Sequence, residues 1–253
     1  MKNEVCYTKP VLPDAWRKVK SALIYRGPSP KNGQTILVIA TGLGSKGSEN
    51  TKTGEMAQIF ILVEDESPID AIKSGADIAI CGECPLRGPV CYVDVTRMGP
   101  KAVWDSYHRG NIPTLSPEAV GAILRMRERA SRFGAYGDPA MIPYAILRAL
   151  LDASGTGHTS YTHQWKEDWF DARVLEFSMG SLDHENTAEE LHERFPTSRH
   201  YRMTLDYKDI DPETEIMCPH KKEDGSVRVQ CVDCGLCSGT DRAAKSIVIK
   251  KND

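Results

Sequence analysis

Eight cysteines in a chain of 253 residues fall into groups whose spacing suits metal ions better than disulfides. The densest group closes the chain. MCPHKKEDGSVRVQCVDCGLCSG carries Cys218, Cys231, Cys234 and Cys237, a C-x12-C-x2-C-x2-C run. Two-residue gaps let thiolates converge on one tetrahedral ion at about 2.3 Å, and Gly235 permits the tight turn between them. The reading is a structural Zn2+ site, with an iron–sulfur cluster as the alternative and His220 able to replace one thiolate. The second group, CGECPLRGPVC, carries Cys81, Cys84 and Cys91 and no obvious fourth ligand. Three thiolates mean zinc completed by a distant histidine such as His108, a cluster with one open iron, or three buried thiols. The spacing C-x2-C-x6-C differs from the usual C-x3-C-x2-C of radical-type iron–sulfur enzymes. Cys6 stands alone.

A second set of candidates comes from polar residues that end apolar runs. In parallel α/β sheets, ligands bind at the carboxyl ends of strands, where the loops converge. Those ends offer Asp94, Asp138, His163, Gln164, Trp165, Ser181, Asp183 and Asp206. Trp165 or Tyr136 would stack on a planar ligand while Gln164 reads its edge. Asp138 and Asp183 are the catalytic candidates, since two carboxylates in different environments can divide nucleophile and base roles. The plain alternatives are that Asp138 caps the segment starting at Pro139, that Asp183 is a loop residue before Thr187, and that His163 is a core imidazole.

These residues need elements to position them. TILVIAT from Thr35 and AQIFILVE from Ala57 read as strands, joined by the polar loop GLGSKGSENTKTG. Gly42, Gly44 and Gly47 in that loop spell GxGxxG, but no helix follows, so a surface loop is favoured over a dinucleotide site. Short apolar stretches end at Cys81 and Val95. From about Pro100 the pattern alternates. A helix capped by Ser116 with Pro117 at its first position precedes strand RFGAYGD; then come helix PAMIPYAILRALLDAS, strand HTSYTHQ, a helical stretch near Trp169 and strand VLEFSMGS. A helix opened by the capping box Thr187 and Glu190, then strand HYRMTLD, complete the series. Such alternation implies βαβ crossovers and a parallel sheet. The expected fold is an α/β parallel-sheet barrel, complete or partial, with a C-terminal metal-binding appendage built on four cysteines; an open doubly wound sheet is the alternative. The expected parts are a strand-rich 1–99, a βα-repeat catalytic part 100–211 and a zinc-binding tail 212–253.

Composition narrows the classes. Apolar residues make up 40% and charged residues 26%, with 32 Lys and Arg against 35 Asp and Glu. That balance excludes a disordered chain and a polybasic nucleic-acid coat. No apolar run approaches the ~18 residues of a membrane span, and the N-terminus lacks a signal-peptide core, so the protein is read as soluble and cytoplasmic. Arg125, Arg127, Arg129 and Arg132 form a basic run compatible with duplex backbone binding, or simply a solvated face.

SENTKTGEMAQIFIL, CGECPLRGPVCYVDV, VWDSYHRG, RFGAYGDPAMIP, SYTHQW, CVDCGLC and AAKSIVIK together resemble a family of uncharacterised tailed-phage proteins, from about Asn50 onward. That family is associated here with phage DNA-guanine transglycosylases, relatives of the tRNA-guanine transglycosylases. The resemblance implies an α/β barrel, a late zinc site, a nucleophilic and a basic aspartate, and exchange of guanine for a 7-deazaguanine such as preQ0. The tRNA enzymes carry C-x-C-x2-C with a later His, and their aspartate motifs have no literal match here, so Asp138 and Asp183 rest on the strand-end argument.

The leading expectation is therefore a pentosyltransferase acting on double-stranded DNA in the cytoplasm of an infected cell, through a covalent Asp–deoxyribose intermediate and with structural Zn2+. Its rivals are an iron–sulfur enzyme built on Cys81, Cys84 and Cys91, and a non-catalytic zinc-ribbon protein for DNA binding or replication.

Overall fold

The computed structural model describes residues 13–47, 50–88, 91–96, 99–183, 187–220, 226–240 and 243–250; Cys6 lies outside them. After a short helix α1 (Asp14–Arg17), the chain forms β1 (Ser21–Pro28), β2 (Thr35–Thr41) and β3 (Ala57–Val63). β2 and β3 are buried along nearly their whole length, as a strand covered on both faces must be. Then come α2 (Pro68–Ser74), α3 (Ile78–Cys81), α4 (Pro100–His108), α5 (Pro117–Arg127), β4 (Ser131–Tyr136), α6 (Tyr144–Ser154), β5 (His158–Thr159), β6 (Tyr161–Thr162) and β7 (Met179–Leu182). α7 (Ala188–Arg194), β8 (His200–Thr204), β9 (Glu215–Met217), α8 (Cys231–Cys234) and β10 (Ser246–Lys250) follow.

The strands form two five-stranded sheets, ordered β1-β2-β3-β4-β5 and β6-β7-β8-β10-β9. β1, β2 and β3 are antiparallel neighbours; β3-β4-β5 and every pairing in the second sheet are parallel. Only Ser160 separates β5 from β6, so β4 and β7 flank one continuous segment. The protein is thus a mixed α/β fold with two parallel-rich sheets. No closed barrel is present among the described residues. Antiparallel β1 and β2, joined to β3 without helical crossovers, take up one side, where a βα barrel would need parallel strands.

Local chemistry explains the elements that match the sequence reading. Ser116 accepts the Ala119 amide at the start of α5, and Thr187 with Glu190 forms a reciprocal capping box on α7. Other elements differ. The stretch ending at Cys81 is the short helix α3; it follows α2, which Ser67 opens by accepting the Asp70 amide ahead of Pro68 and which Gly75 closes in the left-handed conformation. Pro143 separates a 3-10 turn at Pro139–Met141 from α6, dividing what the sequence suggested was one helix. Residues 172–176 are 3-10 rather than strand, leaving β7 short. The tail is knitted into the fold: β10 inserts between β8 and β9, and the Cys218 amide donates to the Val248 carbonyl.

The basic run is spent internally. Arg125 donates to the carbonyls of Asp152 and Ser154, Arg127 to that of Arg17, and Arg132 to the Tyr92 hydroxyl. Buried Arg129 donates to the carbonyls of Gly42, Gly44 and Ser45. The glycine loop therefore points carbonyls at a guanidinium, not amides at a phosphate.

Candidate functional site: a strand-end rim and two thiol sets

β4 carries a bulge where its register with β3 shifts, and Gly134 and Gly137 take the positive φ values, +70° and +80°, that let the chain turn there. The bulge sets Tyr136 and Asp138 at the end of β4. Asp138 is 5% exposed, and both its oxygens are occupied. Oδ1 accepts from the Ala140 amide (2.9 Å) and the Thr162 hydroxyl (2.7 Å). Oδ2 accepts from the His163 amide (2.8 Å) and, at 3.4 Å, from Gln164 Nε2. Asp138 thus caps the Pro139 turn, the alternative role the sequence offered, and also ties β4 to the end of β6. Burial raises its pKa above the ordinary carboxylate value, against the opposing pull of those hydrogen bonds.

His163 follows β6, and its Nδ1 lies 2.9 and 3.1 Å from the two oxygens of Asp183, which follows β7. Asp138 and Asp183 therefore meet on opposite parts of one residue, its amide and its ring. Both members of the His163–Asp183 pair retain some exposure, 21% and 14% at their side chains. Burial disfavours a charged imidazole here, but hydrogen bonds to Asp183 and to the Cys84 thiol outweigh it and hold the pKa well above its usual value.

Gln164 has no exposed surface and reads backbone, not a ligand edge. Its Nε2 donates to the Cys81 carbonyl (2.8 Å) and its Oε1 accepts the Glu83 amide (3.2 Å). Gly82 lies between, with φ +51°, and a Cβ there would stand 2.0 Å from Gln164 Oε1. The far end of the CGEC loop is pinned by Arg87, which donates to the Gly75 carbonyl and to buried Asp77. Trp165 is wholly buried and donates from Nε1 to the carbonyl of Ser181, itself buried in β7. With no free face, Trp165 cannot stack on a base in this structure. Asp94 sits in an exposed turn, its Oδ1 accepting from the amide and hydroxyl of Thr96, and not at a strand end.

None of the seven described cysteines is in a disulfide. Cys81, Cys84 and Cys91 influence one another electrostatically, and their setting reaches His163 and Asp138. Burial pushes the thiols of Cys81 and Cys91 up, while the Val93 amide donates to the Cys91 sulfur. Tyr136, 4% exposed, has a hydroxyl with no hydrogen-bond partner among the described residues. Burial raises its pKa, as do Cys81, Asp77 and Cys91 nearby. His108, the sequence candidate for a fourth ligand, is instead exposed on α4, stacked on Trp104. The histidine beside these thiols is His163, and its signal in the sequence was its place at the next strand end after Asp138.

In the tail, Cys218, Cys231, Cys234 and Cys237 line one small cavity with His220, Thr159 and Ile247. Burial, then the three neighbouring thiols, push the Cys237 pKa far up. Four thiols in that relation ionise together only beside a cation, so this donor set fits a tetrahedral soft metal. Among the described residues, no three His, Cys, Asp or Glu side chains stand ready to hold an ion, so ligation at either set requires its side chains to shift.

No helix among the described residues is long and apolar enough to cross a membrane. Comparisons with family models, curated proteins and solved structures find no match for the chain.

Proposed function

We propose that the protein is a metal–thiolate enzyme whose reaction centre lies at the strand-end rim, on Cys81, Cys84 and Cys91. One observation carries this reading: the CGEC loop, clamped by Gln164 and by the Arg87–Asp77 pair, holds its thiols beside His163 and Asp183. That is where α/β folds place reaction centres, and the two joined sheets are read as part of an incomplete barrel. The tail thiols, gathered around one small cavity, take a structural role in the same reading, holding Zn2+ with four protein ligands and no open position. At the rim, an iron–sulfur cluster or zinc both suit three thiolates. Protein purified without oxygen from iron- and zinc-replete cells should be brown with sulfide in the first case and colourless with extra zinc in the second. A protein whose entire metal content vanishes on tail substitution, with no loss on Cys84→Ser, would overturn the reading.

A second reading, base exchange in DNA, is supported by the resemblance to guanine transglycosylases and by the meeting of Asp138 and Asp183 at His163. Since Asp138 is saturated with hydrogen bonds, Asp183 would be the nucleophile. Its carboxylate would bond to deoxyribose C1′ as the C1′–N9 bond breaks and guanine departs with a proton from His163. A preQ0-type base would then displace the carboxylate from C1′, its N9 proton passing to the His163 ring that gave one up in the first step. The partners would be double-stranded DNA and that base, in the cytoplasm of an infected cell. This reading stands second because Trp165 and Tyr136, the two aromatics read from the strand ends as stacking residues, are both enclosed and offer no face to a flipped base. Nucleoside mass spectrometry on duplex DNA incubated with the protein and preQ0 tests it; absence of a deazaguanine nucleoside removes it.

A further inference from the structure

We propose that His163 is the fourth ligand of the rim metal, binding through Nε2, with Asp183 holding the ring and the Tyr136 hydroxyl donating to the thiolate shell. This rests on the metal–thiolate reading above and adds the ligand, its orienting partner and a donor set of three thiolates and one imidazole.

A carboxylate 2.9 and 3.1 Å from Nδ1 holds a proton there, so in the neutral ring that ligates a metal the lone pair is on Nε2. With Nδ1 committed, Nε2 is the nitrogen left for the CGEC loop, which the next residue, Gln164, holds through the Cys81 carbonyl and the Glu83 amide. Carboxylate, imidazole and soft donor in that order form the arrangement that metal-binding histidines use to fix tautomer and direction. The backbone is fixed as well, because the His163 amide is tied to Asp138 at 2.8 Å.

One feature outside the ligands points the same way. Tyr136 buries a hydroxyl with no partner among the described residues, in the neighbourhood of Cys81 and Cys91. An orphaned buried hydroxyl is unfavourable, and a thiolate-bound metal centre supplies the acceptor it lacks. Three thiolates and a neutral imidazole would close the coordination of a zinc ion and leave it a structural role, so the reaction-centre reading goes with a cluster, in which the imidazole would be the one ligand that is not a thiolate.

The test uses the full chain loaded with Co2+, whose visible absorption distinguishes four-sulfur from three-sulfur, one-nitrogen coordination. Metal per chain is counted alongside, and iron with sulfide is measured in protein from iron-replete cells to separate cluster from single ion. Wild-type protein should bind two equivalents, one with the mixed spectrum. His163→Ala should weaken the rim equivalent by at least ~10-fold, and His163→Cys should keep it while converting the spectrum to the four-sulfur form. Asp183→Asn should weaken it about 10- to 100-fold without changing the spectrum. If neither wild type nor Cys84→Ser shows a rim equivalent, the metal–thiolate reading falls. If the rim equivalent is present but all-sulfur, or unchanged in His163→Ala, only the His163 assignment falls. Rapid alkylation of Cys84 in metal-loaded wild type, lost in His163→Ala, would overturn the assignment in favour of a nucleophilic thiol–imidazole–carboxylate triad. Should His163→Ala fail to fold, the wild-type spectrum and His163→Cys decide between these outcomes.

Discussion

Asp138→Asn separates a structural hub from a free nucleophile. The wild-type carboxylate accepts four hydrogen bonds, two at each oxygen, from Ala140, Thr162, His163 and Gln164. Asparagine keeps one oxygen and presents an amide nitrogen to the donors on the other side. Whichever way it turns, two buried donors face a third donor and lose their acceptor. At about 1–2 kcal/mol for each unsatisfied donor, the loss is about 3 kcal/mol. In a chain of this size about 2–4 °C of Tm corresponds to each kcal/mol, so Tm should fall by about 6–12 °C. The assay is thermal or urea denaturation of matched proteins, followed by a fluorescent thiol reagent to report whether Cys81 and Cys84 become faster to label. Labelling should rise, because the Asp138 amide also donates to the Ile80 carbonyl beside Cys81. A variant that melts within about 2 °C of wild type would refute the reasoning, since a carboxylate held for reaction and not for structure can be neutralised at little cost to the fold.

Gly82→Ala places a Cβ 2.0 Å from Gln164 Oε1 at a φ of +51°, and Gln164 cannot move without abandoning Cys81 and Glu83. Stability should fall by about 2 kcal/mol, read by urea denaturation, with faster labelling of Cys81 and Cys84. Glu215 is buried with His200 and Arg202 on its oxygens. Burial alone would raise its pKa, but those hydrogen bonds bring it from 4.5 down to about 2. The folded pKa lies below the unfolded one, so this stability is complete above about pH 4.5 and is lost as pH falls toward 2. It amounts to about 2 kcal/mol once solvent screening at Arg202 is allowed for. Urea midpoints should therefore drop across that window in wild type and much less in Glu215→Gln. The tail also clamps a distant loop: the amides of Cys231 and Val232 donate to the carbonyls of Lys52 and Thr53, and Gln230 donates to that of Thr51. Cys234→Ser, or chelation of the metal proposed for the tail, should expose the bond after Lys52 to trypsin; unchanged cleavage there would separate the clamp from any metal bound by the tail thiols.

How much of this could be seen in the sequence depends on whether the cause was local. β2, β3, β4, α5 and α7 were legible because their signals lie within a few residues: continuous apolar runs, Ser116 with Pro117, Thr187 with Glu190. The helices before Cys81 were missed although Ser67 and Pro68 mark their start, because an apolar stretch that short fits strand or helix equally. The place of β10 had no local signal at all. In sequence SIVIK reads only as part of the metal-binding tail, and nothing in those residues says that they form a strand that pairs with β8 and β9 and carries the tail thiols onto the sheet. Parallel partners distant in sequence are chosen by the packed whole.

The site divides along the same line. Reading polar residues off strand ends placed Asp138, His163, Gln164 and Asp183 correctly as neighbours, since adjacent parallel strands bring successive ends together. It did not assign their work. Asp138 and Gln164, read as nucleophile and ligand reader, spend their polar atoms inside the protein, joining β4, β6 and the CGEC loop. A carboxylate at a strand end looks the same in sequence whether its oxygens face solvent or four donors. What differs is the competition for those oxygens: donors from Ala140, Thr162, His163 and Gln164 reach Asp138, while Asp183 meets only a single described side chain, the His163 ring. The residue whose acceptors are filled fixes geometry, whereas the His163–Asp183 pair keeps an exposed edge.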